Sequence, residues 1–215
     1  MKTKDKILQV ALELFNDKGV DLVSSKQISD EMGISYGNLC YHYPKKDDII
    51  MQLYLKQQGE LDQEFKGIGI GVPDFEMMFG ALRKMLEVLI KYKFLYLGLT
   101  SLVKRFPDIR KDVLAKADSR ADLMRKIVAF LVMKNLAKPE KGVGHYDKLI
   151  HLTLIMLNSW IADSEVFYEG KPENMIDEYL EIFYSFMKPS LTQEGLEVFN
   201  QYYKKGMSSL PAGGL

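Results

Sequence analysis

The sequence predicts an all-α protein, with a small N-terminal three-helix helix-turn-helix unit followed by a larger C-terminal helical domain. Three observations predict it. Apolar residues recur at helical spacing from the start, as in Ile7, Leu8, Ala11, Leu12 and Phe15. Beyond residue 50 no segment alternates apolar and polar side chains as a half-buried strand does. Gly- and Pro-containing breaks separate the periodic segments.

The first helix is read in MKTKDKILQVALELFNDKG, where Asp5 and Glu13 interrupt the apolar face, so a helix is expected and not a signal peptide. Ser24 is a good N-cap for a second helix, and Gln27 three residues on completes a capping-box pattern. Ile28 and Met32 point inward at i,i+4, and Gly33 can take the left-handed conformation that ends a helix. Ser35 caps a third helix with Leu39 and Tyr43 inward, and Pro44 stops it. Lys45-Lys46 precede Asp47-Asp48, acids suited to a helix start. Further helices are predicted near 47–66, 74–91, 93–104, 108–135, 144–168, 173–188 and 192–205. The breaks fall at Gly67–Pro73, Phe106-Pro107, Lys138–Gly144, Gly170–Pro172 and Pro189, and the Gly/Ser/Pro-rich end 208–215 is predicted to fray.

Helix, three-residue turn with Gly, helix is the helix-turn-helix pattern, which can set its second helix in the DNA major groove. An ordinary helical hairpin inside an all-α core has the same spacing. The residues themselves go further. The ordered series ILQVALELFNDKG, SSKQISDEMGIS and GNLCYHYPKKDDI within residues 7–50 resembles the DNA-binding domain of the TetR family of bacterial one-component regulators. Two positions depart from that family's pattern. Ser29 replaces the usual Ala, a small-for-small exchange, and Cys40 replaces an aromatic that touches the DNA backbone.

The resemblance implies roles residue by residue. Lys26 matches a position that reaches a base edge, where a Lys suits guanine O6/N7. Tyr36, Gly37 and Asn38 match the main base-reading positions, with Asn38 suited to adenine and Gly37 to close backbone approach. Ser25, Ser35, Tyr41, His42 and Lys46 are implied as phosphate contacts. Tyr43, by its spacing from Leu39, is expected in the core. Charge is unusual for a DNA reader: residues 1–50 hold seven Lys, no Arg and eight acids. The lysines cluster near helix N-termini, which also favour phosphate, so a shallow salt dependence is expected.

The helices beyond residue 50 resemble the effector-binding and dimerisation domain of the same family, most closely in YKFLYLGLTSLVKRFPDIR (92–110). The implied division is 1–50 for DNA binding and 51–207 for effector binding and dimerisation. A homodimer is implied through the helices near 144–168 and 173–188; a monomeric bundle core is the alternative reading of their apolar faces. A small, largely apolar effector is implied among the middle helices, with Met85, Phe94, Met124, Phe130, Met156 and Trp160 as candidate contacts. Met77, Met78, Phe79, Tyr96 and Met133 belong to the same Met- and aromatic-rich set. Arg83, Arg120, Arg125, His145 and His151 are candidates to meet an anionic head group.

At 215 residues the chain can bury an ample core, and its single Cys excludes an internal disulfide framework and suits a reducing compartment. No apolar run approaches the roughly 20 residues needed to cross a bilayer, so a soluble cytoplasmic protein is expected. No catalytic motif appears: Gly67, Gly69 and Gly71 do not form a nucleotide loop, and His145, Asp147 and His151 do not share a helical face. An enzyme, a metal and a cofactor are therefore not expected. The resemblance implies a regulator, most simply a repressor, that binds a palindromic operator and is released by its effector. A transcriptional activator of the same fold, or a small-molecule carrier with a degenerate DNA-binding half, remains as the alternative.

Overall fold

The computed structural model is described over residues 2–69 and 75–208, by backbone alone for residues 67–69, 75, 76, 79 and 204–208. The predicted tail after Ser208, residues 70–73 of the predicted glycine-rich break and the Phe79 side chain lie outside the described residues. The described residues form helices and turns, with one isolated bridge between Ala137 and Leu191.

The head consists of α1 (Thr3–Lys18), α2 (Ser25–Glu31) and α3 (Tyr36–His42) with the start of α4 (Lys46–Gly69). The Gln27 amide N–H donates to Ser24 Oγ at 3.2 Å and the Ser24 amide N–H to Gln27 Oε1 at 2.7 Å, closing the capping box that starts α2. Gly33, at φ 66°, ends it in the left-handed region, where only Gly avoids a Cβ penalty. The Asn38 amide donates to Ser35 Oγ at 3.1 Å to start α3, and the Lys45 amide donates to Asp48 Oδ2 at 2.9 Å to start α4. Ile7, Ala11, Ile28, Leu39 and Ile49 are all 0 % exposed and form the head's core. Tyr43 is buried with them, as its spacing predicts.

The body follows as α5 (Phe75–Lys91), α6 (Lys93–Leu97), α7 (Leu99–Arg105), α8 (Pro107–Met133), α9 (His145–Phe167), α10 (Met175–Met187) and α11 (Gln193–Ser208). The helix predicted over 93–104 is two helices. Gly98 lies between them at φ −103°, ψ 9°, and its poor helix propensity lets the chain turn there. α4 runs unbroken through the division expected at residue 50. The head's apolar cluster also continues into Tyr92, Phe94, Leu95, Leu102 and Ile109, so the head packs directly on α6, α7 and the start of α8. A second cluster, containing Leu61, Leu86, Ile127, Trp160, Phe183 and Phe199, fills the body.

The α8–α9 connection is stitched to the chain entering α11. The Thr192 amide donates to Leu136 O at 3.1 Å, Thr192 Oγ1 donates to Asn135 O at 2.6 Å, and the Lys138 amide donates to Ser190 O at 2.8 Å. Gly195 permits this crossing: a Cβ there would lie 1.8 Å from the Leu136 carbonyl oxygen. Gly195→Ala should therefore force the two backbones apart and cost about 1–3 kcal/mol, read as a lowered Tm in thermal denaturation. Gly59→Ala is the control. Its Cβ would meet nothing within 4 Å, and replacing a helix-interior Gly should leave Tm unchanged or raised.

Candidate functional site

α3 presents one face to solvent. Leu39 is buried beneath it, while Ser35, Tyr36, Gly37, Asn38 and Tyr41 are exposed along its outer edge. A Cβ on Gly37 would meet nothing within 4 Å, so no contact among the described residues requires glycine there. The Cys40 thiol one turn on raises the Tyr36 phenol's pKa above its ordinary value. Tyr41 is 84 % exposed, its ring 5.2 Å from that of half-buried His42. The surface therefore offers hydroxyls, a carboxamide and an open backbone rather than cations.

Lysines beside α3 are engaged. Exposed Lys26 pairs with Asp30 along α2, and Ser25 beside it is half-buried. Lys46 Nζ donates to Val20 O and Val23 O, each at 2.9 Å, closing the α1–α2 loop against the start of α4. Burial, with Arg105 nearby, holds its ammonium pKa below the usual lysine value, against the pull of Asp21 and Asp47. Two of its three N–H groups are thus spent within the chain, a structural job the implied phosphate contact did not anticipate. Buried Ser29 donates to Lys26 O at 2.8 Å, so its hydroxyl is satisfied where the family pattern has Ala.

Other contacts bolt head to body. Asn16 Nδ2 donates to Lys91 O at 2.9 Å while its Oδ1 accepts from the Phe94 amide at 3.1 Å. The Phe15 and Phe94 rings lie 5.3 Å apart, and Arg105 of α7 pairs with Asp47 at the start of α4. Between α4, α6 and α8 runs a buried polar chain. Tyr54 OH donates to Asp112 Oδ2 at 2.6 Å, Gln57 Nε2 to Tyr96 OH at 2.6 Å and Gln58 Nε2 to Gln57 Oε1 at 2.7 Å, and Arg120 donates to Gln58 Oε1 at 3.2 Å. Burial raises the Tyr54 and Tyr96 pKa values, so both phenols stay protonated donors or acceptors.

The body holds a partly open apolar cavity of about 170 Å³ between α5, α8, α9 and α10. Met85 and Met124 line it, with Phe65, Met78, Leu123, Leu149 and Phe186 among the other walls. Two wall hydroxyls are turned back on the chain: Tyr146 OH donates to Lys138 O at 2.6 Å and Thr153 Oγ1 to Leu149 O at 2.9 Å. Four of the six expected effector contacts do not line this cavity. Phe94 is packed on Phe15 at the head–body junction, and Trp160 is buried against Tyr179 at 5.1 Å with no partner for its indole N–H among the described residues. Phe130 and Met156 are half-buried against the body core without lining the cavity. An apolar residue at helical spacing serves a core or a cavity equally well, so composition could not separate them. Spacing does reveal the polar chain in hindsight: Gln57 and Gln58 occupy inward positions between Tyr54 and Leu61.

Three elements stand together: an exposed reading helix, a head clamped to its body, and an apolar cavity one helix away. They define a DNA-binding helix-turn-helix regulator of transcription. Residues 7–53 match a family model described as bacterial regulatory proteins, tetR family, and residues 57–199 match the TetR model, described as bacterial transcriptional repressor. The chain belongs to the TetR family of bacterial transcriptional regulators. An HTH-type transcriptional regulator of Staphylococcus aureus strain bovine RF122 / ET3-1 is 25% identical over 93 residues, 43% of this chain and 49% of the relative. The chain thus spans about half the length of the curated relatives it matches. A TetR-family regulator from Marinobacter aquaeolei VT8 shares the fold at TM-score 0.84 and 25% identity, over 95% of this chain and 98% of that one. A transcriptional regulator from Saccharomonospora viridis, solved in complex with choline, matches at TM-score 0.67 and 16% identity over 87% and 96% of the two chains. Among the described residues no helix is long and apolar enough to cross a membrane, and no acid, His or Cys cluster could hold a metal.

The Lys46 geometry gives a test that needs no DNA. Lys46→Ala should take the side-chain donor from the Val23 carbonyl and leave Val20 O with only the 3.4 Å bond from the Val23 amide, costing about 1–3 kcal/mol, seen as a lowered Tm of the free protein. Lys45→Ala, removing an exposed side chain, should leave Tm unchanged.

Proposed function

We propose that this protein is a ligand-responsive repressor that binds a palindromic operator as a homodimer in the cytoplasm and is released by a small, largely apolar effector held in the cavity. One observation carries the reading: α8 faces the cavity with Leu123, Met124 and Ile127 and grips α4 through Asp112, Lys116 and Arg120. Phe65, a cavity wall on α4, lies 4.8 Å beneath the Arg120 guanidinium. An occupant that shifts Phe65 or α8 disturbs Arg120, then Gln58, Gln57 and Tyr96 of α6, whose neighbour Phe94 holds the head. An effector acts in this way only if it binds the two head positions with different affinity, commonly by ~1–3 kcal/mol.

Dimerisation is supported by an outer face on α9 and α10. Ile155, Ser159, Ala162 and Val166 are exposed at helical spacing on α9, and Ile182 is exposed on α10. Trp160, Tyr179, Leu180 and Phe183 on the same two helices turn into the protomer's own core. A second copy seated there would present two reading helices to two half-sites.

Selection of bound DNA from a random pool should return an inverted repeat with half-sites about one helical turn apart. Asn38→Ala should cost about 1–3 kcal/mol at one position per half-site and relax preference there. An unchanged consensus would remove Asn38 from base reading. Gly37→Ala should leave Tm unchanged or higher while weakening operator binding, because only an approaching DNA backbone needs that space. Coupling is tested separately. Arg120→Met should preserve effector binding, measured by thermal shift, yet raise the effector concentration needed for operator release by about fivefold or more. Release at the unaltered concentration would show that Arg120 does not transmit.

A further inference from the structure

We infer that the effector is an anionic single-chain amphiphile of medium length, its tail in the cavity and its head group at a cationic groove beside the start of α9. This rests on the cavity being the effector site proposed above. A groove of about 420 Å³ adjoins the cavity, and Tyr146, Leu149, Phe186 and Ser190 line both. The groove's basic side chains are Lys138, Lys141 and His145, with no carboxylate among its walls. Two acids stand nearby and both are engaged: Glu140 Oε1 accepts from the Tyr146 amide at 3.2 Å in the first turn of α9, and Asp147 pairs with Arg125 at 2.7 Å. Lys138 donates to Pro189 O at 3.0 Å, which fixes it in the wall, while Lys141 and His145 are exposed at the rim.

The other cations considered for a head group are placed otherwise. Arg83 pairs with Asp177, Arg120 serves Gln58 and Phe65, Arg125 binds Asp122 and Asp147, and His151 does not line the cavity or the groove. Size limits the tail. An apolar cavity of roughly 150 Å³ takes benzene, so 170 Å³ holds a segment of about six carbons on the same scale. Further methylenes run through the groove to the rim. A cationic rim repels a quaternary ammonium, so the occupant differs in charge from the choline bound by the Saccharomonospora viridis regulator.

Calorimetric titration of the full chain with hexanoate, octanoate, decanoate, decyl phosphate, decanol and decyltrimethylammonium, each below its micelle concentration, tests this. Affinity of the carboxylates should rise about fourfold per added methylene until the tail compartment is full. Decanoate or decyl phosphate should bind at least about tenfold tighter than decanol, and decyltrimethylammonium should not bind; which of the two anions is preferred tells a carboxylate head from a phosphate head. Lys141→Glu and His145→Glu should weaken the anion by about tenfold or more and leave decanol affinity and Tm unchanged. Decanol binding as tightly as both anions, or anion binding indifferent to both substitutions, overturns the anionic head group and leaves the cavity reading intact. If Met124→Trp, which fills the cavity, leaves decanoate binding unaltered, or if no probe binds, the cavity reading falls and this inference with it.

Discussion

α4 has to belong to two cores at once. Ile49, Ile50 and Leu53 are buried in the head, Leu61 is buried in the body, and between them the same inward face carries Gln57 and Gln58. Two carboxamides at 0 % and 7 % exposure cost several kcal/mol unless each polar atom finds a partner. The chain supplies those partners from two other helices, Tyr96 on α6 and Arg120 on α8, so the three helices have one low-energy arrangement and not a continuum of them. Had Leu stood at 57 and 58, α4 would slide on an apolar surface with little penalty. Directional bonds make its position discrete, and a discrete position is what a switch between two head placements requires.

The same constraint reaches the DNA surface. The head is bolted at Asn16, Phe15 and Asp47, three points on α1 and α4, while α3 itself touches the rest of the molecule through buried Leu39 and Tyr43. α3 is therefore carried by the head and does not set its own position. With no Lys or Arg in its sequence, it cannot be drawn onto DNA by local charge. Its contribution is geometric: hydroxyl and carboxamide groups, and a bare backbone at Gly37, held in a fixed position by the head. In the dimer proposed above, a reader so poor in charge would depend more on the spacing between two copies than on attraction by either, which makes the α4 position the controlling variable of that proposal.

How much of this was legible in the sequence follows from which physics each feature uses. The helix-turn-helix was readable because its signals are local: a capping pair at Ser24 and Gln27, a positive-φ Gly33, a cap at Ser35. Helix positions in the body were readable for the same reason, and the split at Gly98 was missed because a lone Gly is tolerated in many helices. Lys46 shows the limit of residue type. Its position beside a helix start reads as a phosphate site, and only the fold of the α1–α2 loop brings the Val20 and Val23 carbonyls within its reach. Met85 and Met124 could not be told from Phe94 and Trp160, since a cavity is defined by what is absent from its centre. The groove's charge was equally hidden, because Lys138, Lys141 and His145 acquire meaning only when α10 brings Phe186 and Pro189 alongside them.

Cavity and polar chain are two faces of one element. α8 is 27 residues long, and the side that closes the cavity lies one turn beyond the side that holds α4. A packed interior transmits displacement because neighbouring side chains cannot yield independently. Phe65 makes this direct: its ring is wall to the cavity and seat to the Arg120 guanidinium, so it cannot rotate for an occupant without unseating the charge above it. The groove at the α9 start adds leverage of another kind. In the amphiphile inferred above, a head group fixed there would set how far the tail penetrates, so that a tail of given length reaches Phe65 or stops short of it. Chain length would then determine response and not merely affinity, since only an occupant that displaces Phe65 has any reason to favour one placement of α4 over the other.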